Sequence, residues 1–458
     1  MRTGATLLII LLGVAGCRVS DSDSEEQASE DQAQQDARVA TAFASGSARM
    51  SAEELEAARM NMGWREFVER DTIAAGDSGA PGVNESWDDI TMESVNSGPI
   101  ALPVHGDVAG PSVLRVQIVL DRALFSPGVI DGRWGSNTEK AVYWLQRREG
   151  LRASGHVDQP TWQRLQQLAG QPAQLVRTRQ LTAEDVAGPF VTLPEEYYER
   201  RDMECQCYES LAEKLAELSH TTEELLEKLN PGVDLNSMQA GMQLNVPAVE
   251  RQERATLAAT TPARDNDQTR GPSAAAGQDG SAQGGSPAAG QPGSSASGAR
   301  ASRDTSADGA AAGQGVNGTV AKIVISDGGR YLHALDGAGR ILYHFPATLG
   351  SDYSPSPSGD YRITNIAHDP SWHYQPDLLE GVDDEKPDAV LPAGPNNAVG
   401  VVWMQLSRPH YGIHGTSAPE TIGYATSNGC VRLTNWDAEF LASHTDPGTP
   451  VEFRDVAR

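Results

Sequence analysis

The stretch Tyr411-Gly-Ile-His-Gly-Thr416, taken with Ser427-Asn-Gly-Cys-Val-Arg-Leu-Thr-Asn-Trp-Asp437, gathers a base, a nucleophile and a cation in one short part of the chain. A thiol is a poor nucleophile until it loses its proton, and an imidazole beside it either lowers its pKa or takes that proton. Cys430 therefore reads as a nucleophile and His414 as its proton acceptor and donor. Gly429 removes side-chain bulk where a tetrahedral intermediate would approach the backbone, so the amides of Gly429 and Cys430 are candidates for an oxyanion hole. Arg432, always charged and fork-shaped, suits a substrate carboxylate or the positioning of the loop. Tyr411, Ser427 and Asn428 are the nearest candidates for substrate contact, with Ser427 also placed to order the loop, and Trp403 is a further candidate for lining a groove. This is the chemistry of acyl transfer through a thioester. His410 and His414 are four apart, which pairs metal ligands only on a helix; Gly412-Ile413 reads as strand and no carboxylate motif accompanies them. Neither a metal nor a cofactor is expected.

These segments closely resemble the signature of the L,D-transpeptidase (YkuD-type) catalytic family. The resemblance runs over residues 316–456 and includes Ser356-Pro-Ser-Gly-Asp-Tyr-Arg-Ile-Thr364, Pro370-Ser-Trp372 and Leu391-Pro-Ala-Gly-Pro395. It implies that Cys430 attacks the carbonyl of the third residue of a peptidoglycan tetrapeptide stem and expels the terminal D-alanine. It also implies that the Gly415 carbonyl orients the His414 imidazole. The acyl group would then pass to another stem's amine, giving a 3→3 cross-link, to a Lys of a lipoprotein, or to water, which would make the enzyme an L,D-carboxypeptidase. One departure is visible: Asn428 stands where many members carry His. Apolar alternation over residues 320–346, broken by Gly-containing turns, predicts consecutive hairpins. We expect a mainly β domain, as a mixed sandwich or a closed sheet, with one helix after Thr434-Asn435 that buries Trp436, Phe440 and Leu441.

Upstream, Gln117-Ile-Val-Leu-Asp-Arg-Ala-Leu124 and Pro127-Gly-Val-Ile-Asp-Gly-Arg-Trp-Gly-Ser136 lead into a helical pattern with Ala141, Val142 and Leu145 on one face. Ser136 or Asn137 is placed to cap that helix, and Gly155 and Asp158 introduce another with Trp162 and Leu165. Residues 111–170 resemble a peptidoglycan-binding domain, which implies a three-helix bundle. Residues 205–247 predict two helices and a closing strand and look like a diverged LysM module, a glycan-binding fold, although its usual opening strand is not evident; a plain helical hairpin is the competing reading. Residues 251–315 turn to Ala, Gly, Ser, Gln and Asp, the composition of a flexible linker. Such a tether of ~65 residues spans roughly 45 Å and predicts a catalytic domain searching apart from its binding units. The chain as a whole reads as multidomain α+β.

At the N-terminus, Arg2, the apolar run Leu7–Leu12 and Gly13-Val-Ala-Gly-Cys17 resemble a bacterial lipoprotein signal, with residues 1–16 removed and Cys17 lipidated. A membrane partner through a lipid anchor follows, and two acyl chains hold more firmly than one. Arg18 lacks the Asp that marks inner-membrane retention, so a periplasmic location on the outer membrane of a Gram-negative bacterium is favoured. Residues 17–50 read as an acidic tether. Within 51–110, a helix and loop of unknown role, Ser51 and Glu54 form a capping box for an amphipathic helix over 51–70. Cys205 and Cys207 leave several readings open: a small disulfide ring, pairing between chains, or free thiols, with a metal site disfavoured because no His stands near the two thiols. A net charge of −26 argues against nucleic acid, whose phosphates are bound by excess Lys and Arg. A rival from another class is a non-catalytic wall-binding lipoprotein coupling membrane to peptidoglycan, against which the intact His414 and Cys430 speak.

Overall fold

The computed structural model describes residues 50–61, 63–67, 84–170, 172–249, 320–352, 354–376, 379 and 386–455. Cys17, the signal sequence, the acidic tether and the linker over 251–315 lie outside the described residues. No helix among those described is long and apolar enough to cross a membrane.

The first helix, α1 (Ala52–Arg59), has the Ser51–Glu54 capping box, but it stops well short of residue 70 and gives way to a 3-10 turn at Gly63–Phe67. A short α2 (Met92–Ser97) precedes the three-helix bundle of α3 (Pro111–Arg122), α4 (Ser136–Arg148) and α5 (Gln159–Leu168). Its core is Val116, Leu120, Phe125, Trp134, Leu145, Trp162 and Leu165. Asp158 caps α5 through Thr161 N. Neither Ser136 nor Asn137 caps α4. The cap position falls one residue earlier on Gly135, which offers no side chain, and the Asn137 amide is spent on the Ile422 carbonyl of the catalytic domain at 2.7 Å.

The next unit supplies the strand that the sequence concealed. Strand β1 (Val176–Gln180) pairs antiparallel with β2 (Gln243–Pro247), and between them lie α6 (Leu211–Leu218) and α7 (Glu223–Leu229), capped by Ser210 and Thr222. The order is thus strand, helix, helix, strand around Leu215, Leu226, Leu235, Leu244 and Val246. The opening strand lies outside 205–247 because residues 181–210 are inserted after it.

The catalytic domain comprises β3 (Lys322–Ser326), β4 (Tyr331–Leu335), β5 (Ile341–Pro346), the short β6 (Leu349–Gly350), β7 (Gly359–His368), β8 (Trp372–Tyr374), β9 (Ala389–Leu391), β10 (Val402–Leu406), β11 (Gly412–His414), β12 (Thr426–Ser427), β13 (Val431–Arg432), helix α8 (Asn435–Ser443) and β14 (Pro450–Arg454); β6 with β12 and β8 with β9 form two small ribbons, and the rest of the strands join one curled, mixed sheet. Eight strands run in the order β13-β11-β10-β7-β14-β3-β4-β5. The curl brings the two ends together: Thr348, just past β5, exchanges backbone hydrogen bonds with Arg432 of β13 at 2.9 and 3.0 Å. This is the closed-sheet alternative rather than the sandwich. Helix α8 packs Phe440 and Leu441 onto Ile363, Met404, Ile413 and Val431, while Trp436 turns the other way into a core shared with Ile118, Ile130 and Leu225.

That shared core removes the independence predicted for the catalytic domain. Burying it removes apolar surface from water at about 25 cal/mol per Å², a gain lost if the units separate. The exposed edge of β5 is covered as well: Ser126 N donates to His344 O at 2.9 Å and His344 N to Leu124 O at 3.1 Å. An uncovered edge strand invites stray pairing, and here the helical bundle fills it. Trp144 lies against Tyr331 and His333, and the buried Lys140 donates to the Arg330 carbonyl at 3.0 Å.

Candidate active site

Parallel pairing of β11 with β13 puts Ile413 opposite Val431 and His414 opposite Arg432. Side chains alternate along a strand, so His414 and Arg432 share a face while Ile413 and Val431 enter the core, and Cys430 stands directly before β13. The loop before β13 is fixed from both sides. Ser427 Oγ donates to Cys430 O at 2.6 Å, and β12 pairs with β6 through Thr426–Leu349 and Ser427–Gly350. Gly429 has φ +94°, and a Cβ there would meet the Tyr411 ring at 2.8 Å, so only glycine fits this turn. Gly412 has a similar reason: a Cβ would strike the Trp403 indole at 2.6 Å.

His414 is buried, with Nδ1 2.7 Å from the Gly415 carbonyl. A carbonyl only accepts, so Nδ1 carries the proton and Nε2 presents its lone pair. The Trp403 ring stacks on the imidazole at 5.3 Å and 25°. Burial, then the nearby Arg432 charge, hold its pKa down to about 3, against the opposing pull of the Gly415 bond. The Cys430 thiol keeps partial exposure and lies 3.7 Å from His410 O. Its pKa is pushed up by desolvation, with a Gly412 backbone hydrogen bond and Arg432 acting in the opposite direction. The resting pair is therefore thiol and neutral imidazole rather than thiolate and imidazolium. Arg432 is buried and reaches Thr426 O at 3.4 Å; desolvation lowers its pKa to about 10.

Cys430, His414, Gly415, Gly429, Arg432, Tyr411 and Ser427 are thus brought together. Tyr411 packs on the Gly429 turn under the Arg408 guanidinium, 4.5 Å from its ring centroid, and Asn428 is half-buried at the loop's tip. The oxyanion assignment needs revision at Gly429, whose N–H points into the loop and donates to Ser427 Oγ at 3.2 Å. Ser427 itself is buried and bonded within the loop, so it orders the turn rather than facing a groove. His410 sits exposed on the turn before β11, at φ +65°, presenting its carbonyl to Cys430.

Several supporting residues carry no signal of their role in the sequence. Asn435 Oδ1 accepts from Thr416 N at 3.1 Å and Val401 N at 3.2 Å, fixing the segment that follows His414, while its Nδ2 donates to Glu217 Oε1 of α6 at 2.9 Å. Only its nearness to Cys430 in the chain hints at this. Cys205 and Cys207 form the small disulfide ring. Gln206 between them docks on the catalytic domain, donating to Ala393 O at 2.9 Å and accepting from Asn396 N at 2.9 Å. A little before it, Tyr197 stands edge-on to Trp372 at 5.5 Å, with Oη 3.4 Å from Ser417 Oγ. The insertion after β1 therefore clasps the β8–β9 hairpin beside the site. A separate cavity of about 330 Å³ lies where the units meet, lined by Arg59, Asp131, Glu217 and Tyr424 among others, and not by Cys430.

Residues 321–453 match the family of L,D-transpeptidase catalytic domains (YkuD), and residues 109–165 match a peptidoglycan binding domain. A Bacillus licheniformis protein named as the L,D-transpeptidase YkuD is 34% identical over 130 residues, which are 28% of this chain and 63% of that relative. One from Escherichia coli named as the L,D-transpeptidase YbiS is 48% identical over 67 residues, 15% of this chain and 22% of that protein. The chain thus spans less than two thirds of the length of these relatives. The crystal structure of L,D-transpeptidase 3 from Mycobacterium tuberculosis overlays with a TM-score of 0.23 at 18% identity, over 29% of this chain and 60% of that one. Residues 321–453 are a YkuD-type L,D-transpeptidase catalytic domain, carried on the same chain as a peptidoglycan-binding domain at residues 109–165.

Proposed function

We propose that the protein is a cysteine-dependent peptidoglycan L,D-transpeptidase acting on tetrapeptide stems. The observation that carries this is the β11–β13 pairing, which brings the segment led by Cys430 against the strand that carries an imidazole whose tautomer is fixed by Gly415. As Cys430 Sγ bonds to the carbonyl carbon of the stem's third residue, His414 Nε2 takes the thiol proton. The developing oxyanion is met by the Cys430 amide. Collapse breaks the bond to the terminal D-alanine, whose nitrogen takes the proton from His414. The thioester then passes to an amine, which gives its proton to His414, and the departing Cys430 sulfur recovers that proton. Arg432 holds the loop that carries the nucleophile.

The peptidoglycan-binding domain keeps glycan and catalytic face in fixed relation, since its Leu124–Ser126 segment and the β5 edge are hydrogen-bonded. The unit of β1, α6, α7 and β2 serves as a second, LysM-like glycan contact, supported by its strand, helix, helix, strand order. Cys17 is the lipid attachment point and the protein faces the periplasm from the outer membrane, supported by the small residues before Cys17 and by Arg18 after it.

Purified protein incubated with disaccharide-tetrapeptides tests the activity. Released alanine and 3→3 dimers are expected, both abolished by Cys430→Ala; alanine with tripeptide monomers alone would redirect the reaction to a carboxypeptidase. Absence of alanine release from the wild type would reject the transferase altogether.

A further inference from the structure

Away from the catalytic loop, three titratable side chains from three units converge. Asp121 ends the bundle helix α3, His220 lies in the turn between α6 and α7, and Asp437 is in the first turn of α8. All three are buried, with His220 3% exposed and both carboxylates at 0%. One ligand-type atom from each lies within 4.8 Å of the others, and His220 Nδ1 is 3.4 Å from Asp121 Oδ1. Neither ring nitrogen of His220 makes a hydrogen bond. A buried imidazole ordinarily has its N–H satisfied, and the unbonded His220 ring instead sits beside two carboxylates.

We propose that Asp121, His220 and Asp437 bind a divalent transition-metal cation of the zinc class. Ligand bonds of about 2.0 Å in tetrahedral geometry place neighbouring donor atoms about 3.3 Å apart, close to the His220–Asp121 spacing. One imidazole nitrogen and two carboxylate oxygens leave the fourth position to water. Supporting contacts orient the set, as metal ligands require. Ser126 Oγ donates to Asp437 Oδ2 at 2.7 Å, and the His220 ring stacks on Trp436 at 5.0 Å and 11°. The His220 turn is held by bonds from His220 N to Glu217 O and from Ile130 N to His220 O, 3.0 and 3.1 Å. Because each ligand comes from a different unit, the ion staples the assembly. It also steadies the start of α8, two residues from the Asn435 that holds the segment after His414. The expectation of no metal rested on ligands close in sequence; Asp121, His220 and Asp437 stand far apart along the chain, and only the fold assembles them.

The test uses the full chain carrying Cys430→Ala, which removes the free thiol found among the described residues. After chelator treatment, Zn²⁺ alone is titrated calorimetrically while thermal unfolding is followed. One equivalent should bind and raise Tm, and His220→Gln or Asp437→Asn should weaken that equivalent at least tenfold, as loss of a ligand costs more than the roughly 10–100-fold lost with an outer contact. Zinc binding equal in His220→Gln, or a Tm indifferent to both zinc and chelator, would overturn the site. Should a variant fail to fold, the Co²⁺-loaded chain decides the matter: visible ligand-field bands of a tetrahedral nitrogen–oxygen set support the site, and a spectrum of hexaaqua Co²⁺ rejects it.

Discussion

The loop from Tyr411 to Arg432 and the seam between the units are both buried, hydrogen-bonded parts of the molecule, yet they differ in how they are written. The loop is local: Gly412, His414, Gly429 and Cys430 fall close together in sequence, and adjacent strands bring them into one site. The seam is assembled from distant residues, with Phe125 meeting His344, Gln206 meeting Ala393 and Glu217 meeting Asn435. A local motif reveals chemistry, whereas the parts that hold it rigid are dispersed and carry no pattern of their own.

If the seam is a true core and not a loose contact, Phe125→Ala should be costly. Phe125 is fully buried, pairs beside His344 and lies under the Arg148 guanidinium, whose Cζ is 4.3 Å from its ring centroid. A loss of about 3–5 kcal/mol is expected in denaturant unfolding, shared by probes in both the bundle and the catalytic domain. Destabilisation confined to the bundle would show that the two regions do not cooperate.

Asn435→Ala sharpens the comparison at the point where seam and loop touch. Val401 and Thr416 lose their acceptor, His414 loses its support, and kcat should fall roughly 10–100-fold, as misplacement of a catalytic group by an ångström does. KM should stay nearly constant, because Asn435 is expected to act through His414; a change in KM alone would assign it to substrate binding instead.

The smallest effect concerns the resting charge of the loop. With the His414 pKa near 3 and the thiol raised, Cys430 is protonated at neutral pH and the imidazole is uncharged. The iodoacetamide alkylation rate of Cys430 should therefore climb about tenfold per pH unit from pH 6 to 8, following the thiolate fraction. A plateau in that range would instead mark a preformed thiolate–imidazolium pair. For turnover the sign is the same: a base with so low a pKa stays neutral at pH 5, so activity should not show an acid limb near the ordinary histidine value.

The candidate site loop and the β character of its domain were legible because short-range chemistry and period-two alternation survive in the residues themselves. The strand Val176–Gln180 was not, because Arg177, Thr178, Arg179 and Gln180 are polar and its partner lies beyond the inserted residues 181–210. Asn137 illustrates a different failure. It has the right chemistry for a helix cap, and tertiary structure recruits it to the Ile422 carbonyl. Gly429 is similar, since its φ and the bulk of Tyr411 explain the glycine without giving its amide to an oxyanion. The independence implied by linker composition fails for a simpler reason: composition reports what a segment can do, and not whether the units on either side adhere.

The direct test of the central claim is the mass of the intact protein during reaction with a stem tetrapeptide in the absence of an amine acceptor. A species heavier by the donor peptide less its terminal alanine, mapped to Cys430 and missing from Cys430→Ala, is the predicted result. An adduct on another residue, or one that persists in Cys430→Ala, would contradict it.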